Sequence, residues 1–204
     1  MSTWPWPAPV DDGAARHLTP GLRMPDIELP SSAGGTVSLA KLPGRAAIFV
    51  YPWTGRPGLA NPPGWDDIPG AHGSTPELEQ VRDLHTAFTS IRTAVYALSG
   101  QDGVHHQEMI GRLGLAFPIL SDAGGALARA LRLPVFETGG VRYLKRLTLC
   151  LRDGRLQKAY YPAHPPDTHP REVLVMMTAT ATRKEEAPSW GKGRKPDAGK
   201  PHSG

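Results

Sequence analysis

Apolar positions in this chain fall into short runs separated by Pro- and Gly-rich breaks. Residues 46–51, AAIFVY, form a continuous run rich in β-branched and aromatic side chains that ends at Pro52. Such a run predicts a buried central strand. Further on, Leu78, Val81, Leu84, Phe88 and Ile91 recur at helical spacing, which predicts an amphipathic helix over about 76–91. Ser74, three residues before Glu77, fits a capping box, with Pro76 tolerated in the first turn. Strand and helix are joined by PWTGRPGLANPPGWDDIPGAHG. A connection of that length is uncommon in a compact domain and more often functional or mobile than inert.

The remaining pattern extends this unit in both directions. Residues 24–45 predict a hairpin that turns at Gly34-Gly35. Residues 92–98, RTAVYAL, predict a second buried strand, and 105–113 a short helix with Met109, Ile110 and Leu113 on its apolar side. LAFPILSD crosses in extended form, and 125–131 predicts a helix that stops before Pro134. Residues 146–152, RLTLCLR, predict a strand that turns at Asp153-Gly154 into LQKAYYP as a β-hairpin. Pro170 opens a last helix, PREVLVMMTATATR. This order describes an α/β fold of the thioredoxin-like kind, a mixed central sheet flanked by helices on both faces. Three regions are expected: a disordered Pro/Trp extension at 1–21, in which Trp4 and Trp6 alternate with prolines, one domain at 22–182, and a disordered basic tail at 183–204.

Charge and composition narrow the function classes. Of the net charge of +4, most lies in the tail, where six Lys/Arg face three Asp/Glu. The near-neutral body gives no nucleic-acid footprint. No apolar run reaches the length of a membrane span. The N-terminus lacks the basic start and apolar stretch of a secretory signal, so a cytoplasmic protein is expected. Cys150 is the single cysteine, which precludes an intramolecular disulfide, and no zinc-ligand spacing occurs; neither a metal nor another cofactor is expected.

MPDIELPSSAGGTVSLAKL, FVYPWTG, STPELEQVRD, FPILSDAGGALARAL and RLTLCLRDGRLQKAYYP, taken in that order, resemble segments of the peroxiredoxins of the alkyl hydroperoxide reductase/thiol-specific antioxidant (redoxin) group. MPDIELPSSAGGTVSLAKL is similar to the family's leading hairpin, and FVYPWTG to the strand ending at its active-site proline. STPELEQVRD is similar to the segment that begins with the peroxide-attacking cysteine. FPILSDAGGALARAL and RLTLCLRDGRLQKAYYP are similar to the Phe-Pro-Leu-Leu-Ser-Asp segment and to the strand carrying the active-site arginine. The resemblance covers about residues 22–180 and implies a thioredoxin-like fold. It implies peroxide substrates and a thiol reductant for active members, and it admits a homodimer. It places the proline at Pro52, the arginine at Arg146 and the cysteine at Ser74. Glu79 stands where related members hold a resolving cysteine, and Ala71 where a threonine is usual, so Thr54 or Thr75 would have to supply a hydroxyl.

The serine changes the chemistry. A peroxiredoxin thiolate attacks the O–O bond and becomes a sulfenic acid. A helix N-terminus and an arginine lower a thiol's pKa by a few units, which does not bring an alcohol into range. Thiol peroxidase chemistry is therefore not expected at Ser74, and the sequence leaves open a natural loss or an engineered replacement. The retained pocket would take a small polar or aromatic ligand or a partner, with Trp53 and Trp65 of the long loop as a cover. A plain structural role for Ser74 is the helix cap. A Ser-His hydrolase using His72 or His85 lacks a Gly-x-Ser-x-Gly elbow.

Two alternatives remain. Cys150 could serve as a substitute thiol in an active, thiol-dependent peroxidase. It shares a strand face with Arg146, yet lies about 13 Å along the strand from it, and a buried inert thiol is the plainer expectation. The chain could also be a non-catalytic interaction module using its Trp-rich and basic ends. Arg82 and Asp83 are expected to pair with each other or with Arg146. His105, His106, His164 and His169 are expected to be solvated, as are Asp66 and Asp67.

Overall fold

The computed structural model describes residues 4–185, and side chains to residue 180. Five strands form the central sheet: β3 (Arg45–Val50), β4 (Thr93–Ser99), β5 (Ile119–Ser121), β8 (Leu147–Arg152) and β9 (Arg155–Tyr160). Two hairpins stand outside it: β1 (Glu28–Pro30) with β2 (Thr36–Ser38), and β6 (Val135–Thr138) with β7 (Val141–Leu144). The helices are α1 (Ser74–Ser90), α2 (Gly103–Leu113), α3 (Ala126–Leu131) and α4 (His169–Glu185). No helix among the described residues is long and apolar enough to cross a membrane.

The sheet order is β5-β4-β3-β8-β9. β3 runs parallel to β4 and β4 to β5, whereas β8 is antiparallel to both β3 and β9. This is the predicted mixed sheet, with the AAIFVY run at its centre. Because β3 is covered on both faces, its apolar residues need no alternation with polar ones. Ala46, Ile48 and Val50 pack on α3 and the leading hairpin through Leu127, Leu131, Leu29 and Leu39. Ala47 and Phe49 face α1, α2 and α4 through Leu78, Val81, Phe88, Met109 and Val173. The predicted stripe on α1 is buried at Leu78, Val81 and Phe88 and half-buried at Leu84 and Ile91.

The sequence did not predict the β6–β7 hairpin, which turns at Gly139-Gly140. It clamps the long loop. Trp65, only 3% exposed, packs its ring against Phe136, Tyr143 and Trp53, with centroids 5.5, 5.0 and 5.3 Å away.

Residues 4–21, expected to be disordered, lie against the domain. Ala15 and Leu18 enter the core. His17 Nε2 donates to the Leu131 carbonyl at 2.7 Å, and Asp12 accepts from Lys145 Nζ at 2.6 Å and the Tyr161 hydroxyl at 2.8 Å. At the other end, α4 runs on to Glu185, past the expected boundary at 182. The rest of the basic tail, 186–204, lies outside the described residues.

Candidate functional site

β3 ends at Val50, and the chain passes through buried Tyr51 and Pro52 into the long loop. Thr54 pins the loop's first residues to α2. Its N–H donates to Gln101 Oε1 at 3.0 Å, and its carbonyl accepts from Gln101 Nε2 at 3.1 Å and His105 Nε2 at 2.9 Å. The Thr54 hydroxyl, 1% exposed, lies against Gln101, His105 and Met109. Those contacts hold the loop in place; its partners do not include Ser74.

The loop returns at Gly73, whose φ of 106° lets the chain enter α1 directly, so Ser74 is the first helical residue. The expected capping box is not formed. Gly73 is the N-cap, without a side-chain cap, and its carbonyl accepts from the Glu77 N–H at 3.0 Å. The Ser74 and Glu77 side chains are instead both taken by Arg146. The guanidinium donates to Ser74 Oγ at 3.0 Å and to the His72 carbonyl at 3.1 Å, and its other amino group pairs with the Glu77 carboxylate. A buried cation competes for both groups more strongly than a neutral cap, because charge-assisted bonds are the stronger class.

All three members of this cluster are buried: Ser74 is 3% exposed, Glu77 0% and Arg146 3%. Burial pushes the Glu77 carboxyl above its ordinary value, and the adjacent guanidinium opposes that rise. Glu77 therefore belongs to the buried cluster around Arg146, although the sequence offered it only as a cap. The signal that could have found it was its place one turn after Ser74, on the side of α1 that meets Arg146.

Above Ser74 lies a cavity of about 260 Å³ walled by Trp4, Trp6, Trp53 and Trp65, with Ser74, Thr75 and His72. Thr75 also borders the cavity. Pro52 is buried just ahead of Trp53 and Thr54, which form the wall. His72 Nε2 bonds Asp66 Oδ1 at 2.9 Å, and the imidazole stacks on Trp6 with centroids 3.7 Å apart. Asp83 pairs with Arg82 at 2.9 Å rather than with Arg146.

Cys150 lies in β8, where its register partners are Ala47 and Lys158. It packs in the core face against α1 and α4, 4% exposed, and burial pushes its thiol up to about 12. The structure does not bring it to the Ser74 cluster.

Two histidines expected in solvent are core residues. His106, 1% exposed, bonds Ser99 Oγ at 3.0 Å, and His169, 2% exposed, bonds Thr148 Oγ1 at 2.9 Å. Each has a hydroxyl partner on the sheet, which offsets the cost of burying a polar ring.

A mixed sheet with this order, and a helix starting at an arginine-held position after the central strand, define the thioredoxin-like class to which peroxiredoxins belong. A family model described as Redoxin matches residues 19–174, and the chain belongs to that family. Among solved structures, it is similar to peroxidoxin BcpB from Mycobacterium tuberculosis, with 23% identity and a TM-score of 0.65, covering 80% of this chain and 98% of that one. It is similar to the bacterioferritin comigratory protein of Xanthomonas campestris, with 24% identity and a TM-score of 0.64 over 79% and 99% of the two chains. A cysteine-to-serine mutant of PrxQ from Xylella fastidiosa gives 21% identity and a TM-score of 0.66 over 81% and 98%. At these identities the likeness is one of fold. No match was found among curated proteins.

Proposed function

We propose that this redoxin-family protein lacks thiol peroxidase activity and keeps the Ser74 cavity as a pocket for a small polar or aromatic ligand or a partner. The observation that carries this reading is the Ser74 hydroxyl held on Arg146 at 3.0 Å, where the resemblance puts an attacking thiolate. A hydroxyl beside a guanidinium is a neutral hydrogen-bond partner. It has no route to the sulfenic acid on which peroxide turnover depends. The other thiol chemistry available to the chain would run through Cys150, and its burial and raised pKa support an inert core role. The aromatic walls suit a planar or apolar ligand body, and Ser74 and Thr75 supply hydroxyls to orient it.

The test is peroxide consumption by the purified protein with excess dithiothreitol, beside Ser74→Cys and Cys150→Ala. An inert unmodified protein and turnover by Ser74→Cys are expected. Turnover by the unmodified protein that Cys150→Ala abolishes would overturn the proposal and make Cys150 the working thiol.

A further inference from the structure

The cavity above Ser74 is closed in part by the chain's own N-terminal segment. Trp6 stacks on His72 with centroids 3.7 Å apart and planes 9° from parallel. Trp4 lies over Gly73, where an added Cβ would come within 2.7 Å of its ring. The Gly70 N–H donates to the Pro7 carbonyl at 3.1 Å. A second cavity, of about 350 Å³, is bounded by Pro9 and Val10 of the same segment with Ile68 and Arg146. Ser74 thus borders one cavity and Arg146 the other, while the two side chains touch each other at 3.0 Å. Within residues 4–10, Trp4 and Trp6 wall the first cavity, and Pro9 and Val10 wall the second.

The anchoring of this segment is lopsided. From Asp11 onward the chain is fixed by charge and by the core. Asp11 and Asp12 cap the turn at Gly13-Ala14, Asp12 holds Lys145 and Tyr161, and Ala15 and Leu18 are buried. Residues 4–10 are held by ring contacts and the Pro7 bond, with Trp6 37% and Val10 82% exposed. Segments with few buried contacts open locally at far lower cost than the core unfolds. Pro5, Pro7 and Pro9 stiffen the segment, so it moves as an arm rather than fraying residue by residue.

We propose that residues 4–10 are a hinged cover that lifts about Val10–Asp11 to open the Ser74 pocket, so that access is set by an intramolecular contact. The inference rests on the reading of that pocket as the binding site, but its readout needs no activity. A cover closed nine-tenths of the time lowers access about tenfold.

The test places a single thiol in the pocket with Ser74→Cys in a Cys150→Ala background. Its alkylation by a bulky maleimide is timed in the full chain, in a Trp4→Ala/Trp6→Ala variant, and after deletion of residues 2–10. Alkylation about tenfold faster in both uncovered forms is expected, and equal rates in all three would overturn the proposal. A second measurement uses the unmodified protein: the Gly70 amide, bonded to Pro7, should exchange its hydrogen faster than the Phe49 amide of β3. Exchange of both only through global unfolding would make the segment a fixed part of the fold. Peroxide turnover through Cys150 would sink the proposed function and leave both of these readouts unchanged.

Discussion

The Arg146 guanidinium donates to the Ser74 hydroxyl at 3.0 Å, across 72 positions of sequence. In a site built around a thiolate, the arginine's charge would be shared with the anion at the start of the helix. Here the hydroxyl is neutral, and the counter-charge comes from Glu77, one turn further along α1. With Glu77 ionised, the cluster is therefore electrically closed without a charge at position 74.

Removing one member should expose the cost of that closure. Arg146→Met leaves the Glu77 carboxyl buried, with Oε1 unpartnered in the described structure and Oε2 newly stranded. Breaking a buried pair from one side costs about 3–5 kcal/mol. The double variant Glu77→Gln/Arg146→Met should lose clearly less, because no charge remains buried. Urea unfolding of the set checks this, and a loss below about 1 kcal/mol for Arg146→Met would show the pair to be energetically idle.

Gly73 is the hinge through which the long loop enters α1. At φ 106° an alanine is strained, and its Cβ would collide with the Pro166 ring and come within 2.7 Å of Trp4. Gly44, at φ 65° with open space around it, offers a control for the backbone effect alone. Gly73→Ala should destabilise by ~1–3 kcal/mol more than Gly44→Ala, read as the difference in unfolding free energy. Equal losses would mean that Pro166 and Trp4 move aside freely.

The sheet was legible because its strands are continuous apolar runs and α1 carries a full stripe. Ser74 and Arg146 were singled out by a resemblance, not by spacing, and the structure brings their side chains together at 3.0 Å. What escaped was decided by tertiary competition. Ser74 and Glu77 carry a local cap pattern, and only the distant Arg146 diverts both side chains. The β6–β7 hairpin carries a Gly139-Gly140 turn signal, but its strands lie mostly exposed or half-buried, so no apolar run announced them. His106 and His169 read as ordinary polar residues because their partners, Ser99 and Thr148, are strand residues 7 and 21 positions away that meet them only when helix packs on sheet.

Trp65 should be the residue on which the loop's shape depends. Its ring meets Trp53 on the cavity side and Phe136 and Tyr143 on the hairpin side. Trp65→Ala removes a nearly fully buried aromatic, a change that costs about 3–5 kcal/mol. Increased protease cutting within residues 55–70 under native conditions would accompany it. An unaltered cutting pattern would mean that the prolines alone hold the loop.

The two buried histidines predict how stability responds to acid. Burial lowers the pKa of His106 to about 4, helped by the neighbouring His105 and opposed by Asp102. Burial also lowers His169 to about 4, with Arg146 adding to the effect. Between about pH 4 and 6.5 each imidazole binds a proton more readily in the unfolded chain than in the native one. Their contribution is thus complete above about pH 6.5 and is lost as pH falls toward 4, by as much as about 3 kcal/mol each. Glu77 acts in the opposite sense: its carboxyl is raised in the native state, so the fold gains from its proton as pH falls. The two effects separate by substitution. His169→Gln should flatten the fall in unfolding free energy between pH 7 and 5, whereas Glu77→Gln should steepen it. Urea unfolding at those two pH values decides, and a His169→Gln protein with an unchanged pH slope would show that His169 is not a buried neutral base.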